Sequence, residues 1–204
     1  EKAALVLFSK ELAQAATGMA PGLTGYFGGR PSVQPVVQLW SCKVPKRDVA
    51  ITVDFEGVRT PVTVVEGAPF DPAALTPQPA GESWTPGTDA VNVPLIKLAI
   101  ARSGDKGDHG NVGVMARDPA YLPYIRTALS EQRVAAYFAH LIAANGSVSR
   151  WELPGSHSFN FLVRYALGGG GIASLRTDPQ GKCFAQMLLD IDIPVPPAVA
   201  ASLK

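Results

Sequence analysis

Ten residues from Arg102 to Asn111, RSGDKGDHGN, hold two carboxylates, two cations, an imidazole, a hydroxyl and three glycines. Asp105, Asp108 and His109 are groups that can take or return a proton beside a bound acyl group. Arg102, Ser103, Lys106 and Asn111 can hold an anion or the polar part of a substrate. Gly104, Gly107 and Gly110 recur at every third position, where the backbone can take positive φ and come close to a ligand. A plain turn uses Asp or Asn to bond its own backbone, but needs neither Arg102, Lys106 nor His109. For the aspartates a second arrangement stays open, in which Asp105 and Asp108 pair with Arg102 and Lys106 as an electrostatic latch. The spacing of Asp105, Asp108 and His109 does not call for a metal.

A second glycine run, Gly168 to Gly171, precedes the short stretch Ile172–Arg176. Backbone amides of Gly169 and Gly170 ahead of a helical turn would form an anion site. Arg176 and Lys182 follow closely, so four cations (Arg102, Lys106, Arg176, Lys182) lie in or near the two glycine-containing loops. The two loops are expected side by side, forming one mainly cationic pocket. Gly28-Gly29-Arg30 could also hold an anion, although a structural loop is the simpler reading. His140 among Tyr137, Phe138 and Leu141 reads as a helix residue. Asn160 reads as a hydrogen-bonding group, and Trp40, Trp84 and Trp151 as packing.

The elements that must position these groups follow from periodicity. Leu5, Phe8, Leu12 and Ala15 make one stripe of a helix over residues 2–16, stopped by Gly18 and Pro21. Val36, Val37, Leu39 and Trp40 suggest a strand. Alternation over 48–55 and 58–65 around Glu56-Gly57 predicts a β-hairpin. From residue 66 to 92 the pattern gives way to Pro69, Pro72, Pro77, Pro79 and Pro86 with Gly67, Gly81 and Gly87, an extended connector. Leu95, Ile96, Leu98 and Ile100 read as a strand over 95–102 that runs into the polar loop. A strand over 111–117 follows, then helical pieces from Asp118-Pro119 to Asn145-Gly146. Strands over 148–153 and 159–167 flank Pro154-Gly155-Ser156-His157, and 183–193 reads as a strand of period two. The order β-α-β-β-α-β is a split βαβ arrangement. The prediction is therefore an α+β protein with a ferredoxin-like domain over 94–204. Ahead of it stand a connector over 66–93 and, over 1–65, a helix and a β-hairpin.

A chain of 204 residues, 47% hydrophobic and 17% charged with net charge +1, is of ordinary globular composition. Near-neutral charge argues against nucleic acid or an anionic membrane as the main partner. No apolar run reaches the length of a membrane span. Cys42 and Cys183 lie far apart without metal spacing; they read as buried free thiols, with a disulfide as the other arrangement open to them. A cytoplasmic setting is the expectation. The chain starts at Glu1 and runs straight into a helical pattern, which reads as a fragment, a processed subunit or part of a longer protein.

Three separated motifs, ARSGDKGDHGNVGVMAR (Ala101–Arg117), VSRWELPGSHSFNFLV (Val148–Val163) and LGGGGIASLRTDPQGK (Leu167–Lys182), resemble the AtuA-like, or acyclic terpene utilisation, family. Gly29–Pro31 followed by an apolar strand is similar to the end of that family's first domain. The resemblance implies a ferredoxin-like second domain, with the helix and β-hairpin over 1–65 as the C-terminal remnant of a larger α/β first domain. It also implies catabolism of acyclic terpenoid or branched acids handled as coenzyme A thioesters. On that basis Asp105, Asp108 and His109 would act in a hydratase or lyase step, with the donors of the loop holding the enolate oxygen. No resident cofactor is implied, and the thioester would enter as substrate. The family's large first domain is mostly absent, which points instead to a non-catalytic domain completing a site on another chain. The apolar faces of the first helix and hairpin, with little beside them to cover them, point to a partner subunit or a homo-oligomer.

Overall fold

The computed structural model of the chain describes residues 1–18, 21–22, 30–37, 40–65, 67–76 and 81–203. They fall into two compact units, Glu1–Val37 and Gln38–Lys204. In the first, α1 spans Lys2–Gly18. Its stripe is not buried: Leu5 and Phe8 are 52% and 62% exposed. Ser9 is the one buried polar residue among those described, and its hydroxyl donates to the Pro31 carbonyl. Gly28 and Gly29 lie outside the described residues, as does Leu39 of the expected strand. Val36, Val37 and Trp40 belong to no strand.

The second unit begins with the expected hairpin, shorter than its alternation suggested: β1 (Thr52–Phe55) and β2 (Val58–Pro61). Glu56 and Gly57 both take positive φ, 51° and 81°, as a two-residue type I′ turn requires. The register puts Val53, Phe55, Val58 and Thr60 on one face and Asp54 with Arg59 on the other. Phe55 and Val58 remain 71% and 68% exposed. Before residue 91, the described residues of the proline-rich connector form one 3-10 turn, at Pro72–Ala74, capped by the Asp71 side chain. Further on, the Trp84 N–H donates to Thr127 Oγ1, and the Trp84 ring meets Tyr124 edge-on. The connector also ends in a strand that its composition concealed, β3 (Val91–Pro94), paired with residues 192–195.

Leu95 to Lys97 is a 3-10 turn, not the start of a strand. The reason is spacing. Leu95 and Leu98 are both fully buried, and a three-residue turn closed by the Leu98 N–H on the Leu95 carbonyl puts both on one side. Strand β4 therefore runs Ala99–Lys106, and β5 runs His109–Ala116. What read as a ten-residue polar loop is a hairpin whose only turn residues are Gly107 and Asp108. Gly107 alone has positive φ, 65°, the pattern of a II′ turn. After a 3-10 turn at Pro119–Tyr121 come α2 (Leu122–Ala128) and α3 (Glu131–Tyr137), the latter N-capped by Ser130. A second hairpin, β6 (Val148–Leu153) and β7 (Ser158–Val163), turns through Pro154–Ser156.

The expected strand over 183–193 is instead helix α4 (Phe184–Leu189) followed by a short strand, β8 (Asp192–Val195), which is the partner of β3. Phe184, Ala185, Leu188 and Leu189 are buried at i, i+1, i+4 and i+5, a helical stripe that alternate polar residues disguised as period two. Helix α5 (Pro197–Ser202) closes the described chain. No helix among the described residues is long and apolar enough to cross a membrane.

The main sheet is antiparallel in the order β4-β5-β7-β6. Strands β5 and β6, joined by α2 and α3, are parallel with β7 between them, which is the split βαβ unit. The hairpin partner β4 takes the edge beside β5. The ferredoxin-like sheet is thus built hairpin, helices, hairpin, and not in the strict βαββαβ order. One face, carrying Val112, Val114, Phe159, Phe161 and Val163, packs on the helices, where Phe138 stacks on Phe184 at 5.1 Å. Each of these large side chains contributes about 2 kcal/mol by leaving water. The other face carries Ile100, Arg102, Gly104 and Lys106 of β4, then His109, Asn111, Gly113 and Met115 of β5. Beyond them lie Ser158, Asn160 and Leu162 of β7, and Ser149, Trp151 and Leu153 of β6.

Candidate functional site

Strand alternation divides the residues of RSGDKGDHGN between two faces and a turn. Arg102 and Lys106 stand on the second face, exposed, and neither side chain has a partner among the described residues. Ser103 points the other way: its Oγ accepts the Ala185 N–H at 2.9 Å and donates to the Lys182 carbonyl at 3.0 Å, tying β4 to the start of α4. Asp105 also lies on the helix side, with Oδ1 4.0 Å from Lys182 Nζ. Asn111 donates from Nδ2 to Asn160 Oδ1 at 3.0 Å on the second face.

Asp108 sits in the turn and bonds to the stretch around the glycine run through one carboxylate oxygen and its backbone carbonyl. Its Oδ1 accepts the Gly169 N–H at 2.7 Å, and its carbonyl accepts the N–H groups of Ala166 and Leu167. A Cβ on Gly170, which has φ 77°, would stand 2.5 Å from the Gly107 carbonyl oxygen. The hairpin turn and the glycine run are therefore packed backbone to backbone. His109 accepts the Tyr165 N–H on Nδ1 at 3.0 Å, and the two rings meet edge to face at 4.9 Å. Tyr165 holds φ 52°, a costly conformation for a residue other than glycine, and this bond helps to maintain it. Asp105, Asp108 and His109 thus diverge, one on each face and one in the turn. Among the described residues no three His, Cys, Asp or Glu side chains gather as a metal would require.

The four cations divide as well. Arg176 turns away from the first loop and donates to the Leu141 carbonyl at 2.9 Å and to the Ala166 carbonyl. There it lines a cleft of about 430 Å³ with His140, Leu141, Asp178, Phe184 and Met187. Lys182 reaches round the edge of β4, its Nζ 3.1 Å from where a Cβ of Gly104 would lie. It therefore joins Arg102 and Lys106 along that edge. The Lys182 and Cys183 N–H groups are held by the carboxylate of Asp178 at 2.9 and 2.8 Å. Cys42 and Cys183 are free thiols, both exposed, not buried as their spacing alone suggested.

Several residues of the second face were not singled out by sequence. Trp151 was read as packing but is 47% exposed on that face. The Arg164 guanidinium donates to Ser149 Oγ at 2.7 Å, bringing a further cation there. The signal was available: alternation along VSRWEL and SFNFLV puts Trp151 and Asn160 on the face of Asn111 once the hairpins are paired.

Burial, with the Asp190 carboxylate second, pushes the Tyr137 phenol above its ordinary value, and its hydroxyl donates to the Met187 carbonyl at 2.6 Å.

A four-stranded antiparallel sheet with a split βαβ unit and helices on one face defines an α+β domain of the ferredoxin-like class. The profile of the AtuA ferredoxin-like domain matches residues 93–194, half of the chain, and the chain belongs to the AtuA-like family. No curated protein and no solved structure matches it.

Proposed function

We propose that this chain is a docking and ligand-holding part of an AtuA-like protein of branched-acid catabolism, completing a site whose reacting groups lie on another polypeptide. In this reading the hydratase or lyase step on an acyl thioester belongs to the assembled protein, in the cytoplasm. The observation that carries the reading is that α1 in the first unit and the β1–β2 hairpin in the second each leave an apolar face exposed. Leu5, Leu7 and Phe8 of α1 and Val53, Phe55 and Val58 of the hairpin are all exposed. An amphipathic helix and an amphipathic hairpin are formed only at the expense of chain entropy, and such faces are covered in the working assembly.

The divergence of Asp105, Asp108 and His109 supports placing the chemistry elsewhere. A base and a donor set must converge within about 3 Å of one reacting atom. Asp108 is already held by Gly169 and the His109 Nδ1 by Tyr165. The test is to incubate the purified chain with a branched, α,β-unsaturated acyl-coenzyme A and follow the thioester by mass spectrometry. The chain alone is expected to leave the thioester unchanged. Hydration by the chain alone, abolished in Asp105→Asn or His109→Gln, would return the reaction to this polypeptide.

A further inference from the structure

We propose that the uncovered face of the β4-β5-β7-β6 sheet binds an amphiphilic anion, an apolar chain ending in a diphosphate-type head. The face has two ends. At one, Ile100, Met115 and Leu153 share a cross-strand row that Ser158 of β7 interrupts, Trp151 stands in the next row, and these four apolar side chains are 41–47% exposed. Along the β4 edge, Arg102, in the same row as Trp151, begins a line of cations that continues through Lys182 beside Gly104 to Lys106 at the other end, and Arg164 reaches across Ser149 from the opposite side. No Asp or Glu of the four strands stands on this face, and the one carboxylate at its edge, Asp105 on the helix side of β4, lies 4.0 Å from Lys182. Its charge is therefore one-sided, and what complements it is an anion.

The floor between the ends is shaped by glycine. A Cβ on Gly113 would meet nothing nearer than the Arg102 carbonyl at 3.9 Å, and its φ is not positive. Neither folding nor packing asks for glycine there, whereas close approach of a ligand to the strand does. Gly113 leaves a dip between Arg102 and Asn160. Beside it, Asn160 Nδ2 and Asn111 Oδ1 have no partner among the described residues after the single bond between the two amides.

Size and charge select the occupant. The face runs about 20 Å along the strands and about 14 Å across them. That is well short of the roughly 800 Å² per partner of a standard protein interface. Two copies placed face to face would also oppose cations without a carboxylate to pair them. One exposed indole is too few for a platform that stacks successive bases. Four cations exceed what one carboxylate engages, since a single guanidinium already satisfies it bidentately.

The experiment is calorimetric titration of the full chain with octyl diphosphate, octanoate, inorganic pyrophosphate and a single-stranded oligonucleotide. Octyl diphosphate is expected to bind at least about tenfold more tightly than each of the others, because it alone fits both ends. Gly113→Leu, which fills the dip, and Arg102→Gln should each weaken it about tenfold or more with an unchanged melting temperature. If Gly113→Leu fails to fold, Arg102→Gln and Lys106→Met carry the test. Equal binding of octanoate or pyrophosphate, tightest binding of the oligonucleotide, or full affinity in the folded variants would overturn the assignment. Such a failure leaves the proposed partner untouched, since that rests on α1 and the β1–β2 hairpin.

Discussion

Gly170 and Asp108 show how single residues join two distant stretches of chain. Gly170→Ala would place a methyl group 2.5 Å from the Gly107 carbonyl at φ 77°, so backbone must move against backbone. A loss of about 3 kcal/mol is expected in denaturant unfolding; a loss below 1 kcal/mol would mean that the two loops separate freely. Glu152 makes the complementary case on the helix side. Both its oxygens accept from Arg126, at 2.7 and 3.1 Å, where the Arg126 side chain is only 12% exposed. Glu152→Ala should cost about 2 kcal/mol, because it strands a largely buried cation. Tyr137 gives a pH dependence. Its folded-state pKa is raised, so its contribution is present below the ordinary value near 10 and is lost as pH rises through the folded value. Wild-type protein should therefore lose stability above pH 10 more steeply than Tyr137→Phe, and parallel profiles would contradict this. At neutral pH the variant should be weaker by about 1 kcal/mol, through the lost bond to Met187.

Elements were legible where one period dominated. The first helix, the β1–β2 turn at Glu56-Gly57, the β6–β7 turn at Pro154 and the two short helices after Pro119 follow from stripe spacing, capping and turn residues. Three elements were hidden, for physical reasons. Leu95 and Leu98 sit three apart inside a run that also alternates, so a 3-10 turn and a strand make the same short pattern. In Phe184–Leu189, polar Gln186 lies between apolar neighbours and imitates a strand, while burial of Phe184, Ala185, Leu188 and Leu189 reveals the helix. The candidate site shows the same limit. Residue types announced chemistry in RSGDKGDHGN, but the faces on which they stand depend on register, which the ten-residue loop reading removed. Strand β3 lay inside a proline-rich stretch and is defined by its partner at the far end of the chain.

At the scale of the whole molecule, burial is uneven. The fully buried residues from Leu95 to Val195 form one core, whereas the first ninety residues leave Phe8, Phe55, Val58 and Phe70 exposed. Association through that surface should show in light scattering as a mass at least twice that of the 21.4 kDa chain, or as capture of a partner polypeptide. Replacing Phe55 and Val58 together by serine should then reduce the mass while leaving the C-terminal domain folded. A strictly monomeric wild type with no partner would count against the proposed role.

The central claim is that one short hairpin separates two duties: Asp108 locks the glycine loop, while Arg102 and Lys106 face outward for a ligand. Thermal melting of Asp108→Ala beside Lys106→Met tests it most directly. Losing the charge-assisted bond to the Gly169 N–H should cost Asp108→Ala about 2 kcal/mol. That corresponds to a melting temperature lowered by about 5–10 °C. Lys106→Met should melt within about 1 °C of wild type, as an exposed side chain without a partner in the fold. A sharp fall for Lys106→Met with none for Asp108→Ala would contradict the account, because the lysine would then be the lock and the aspartate the free group.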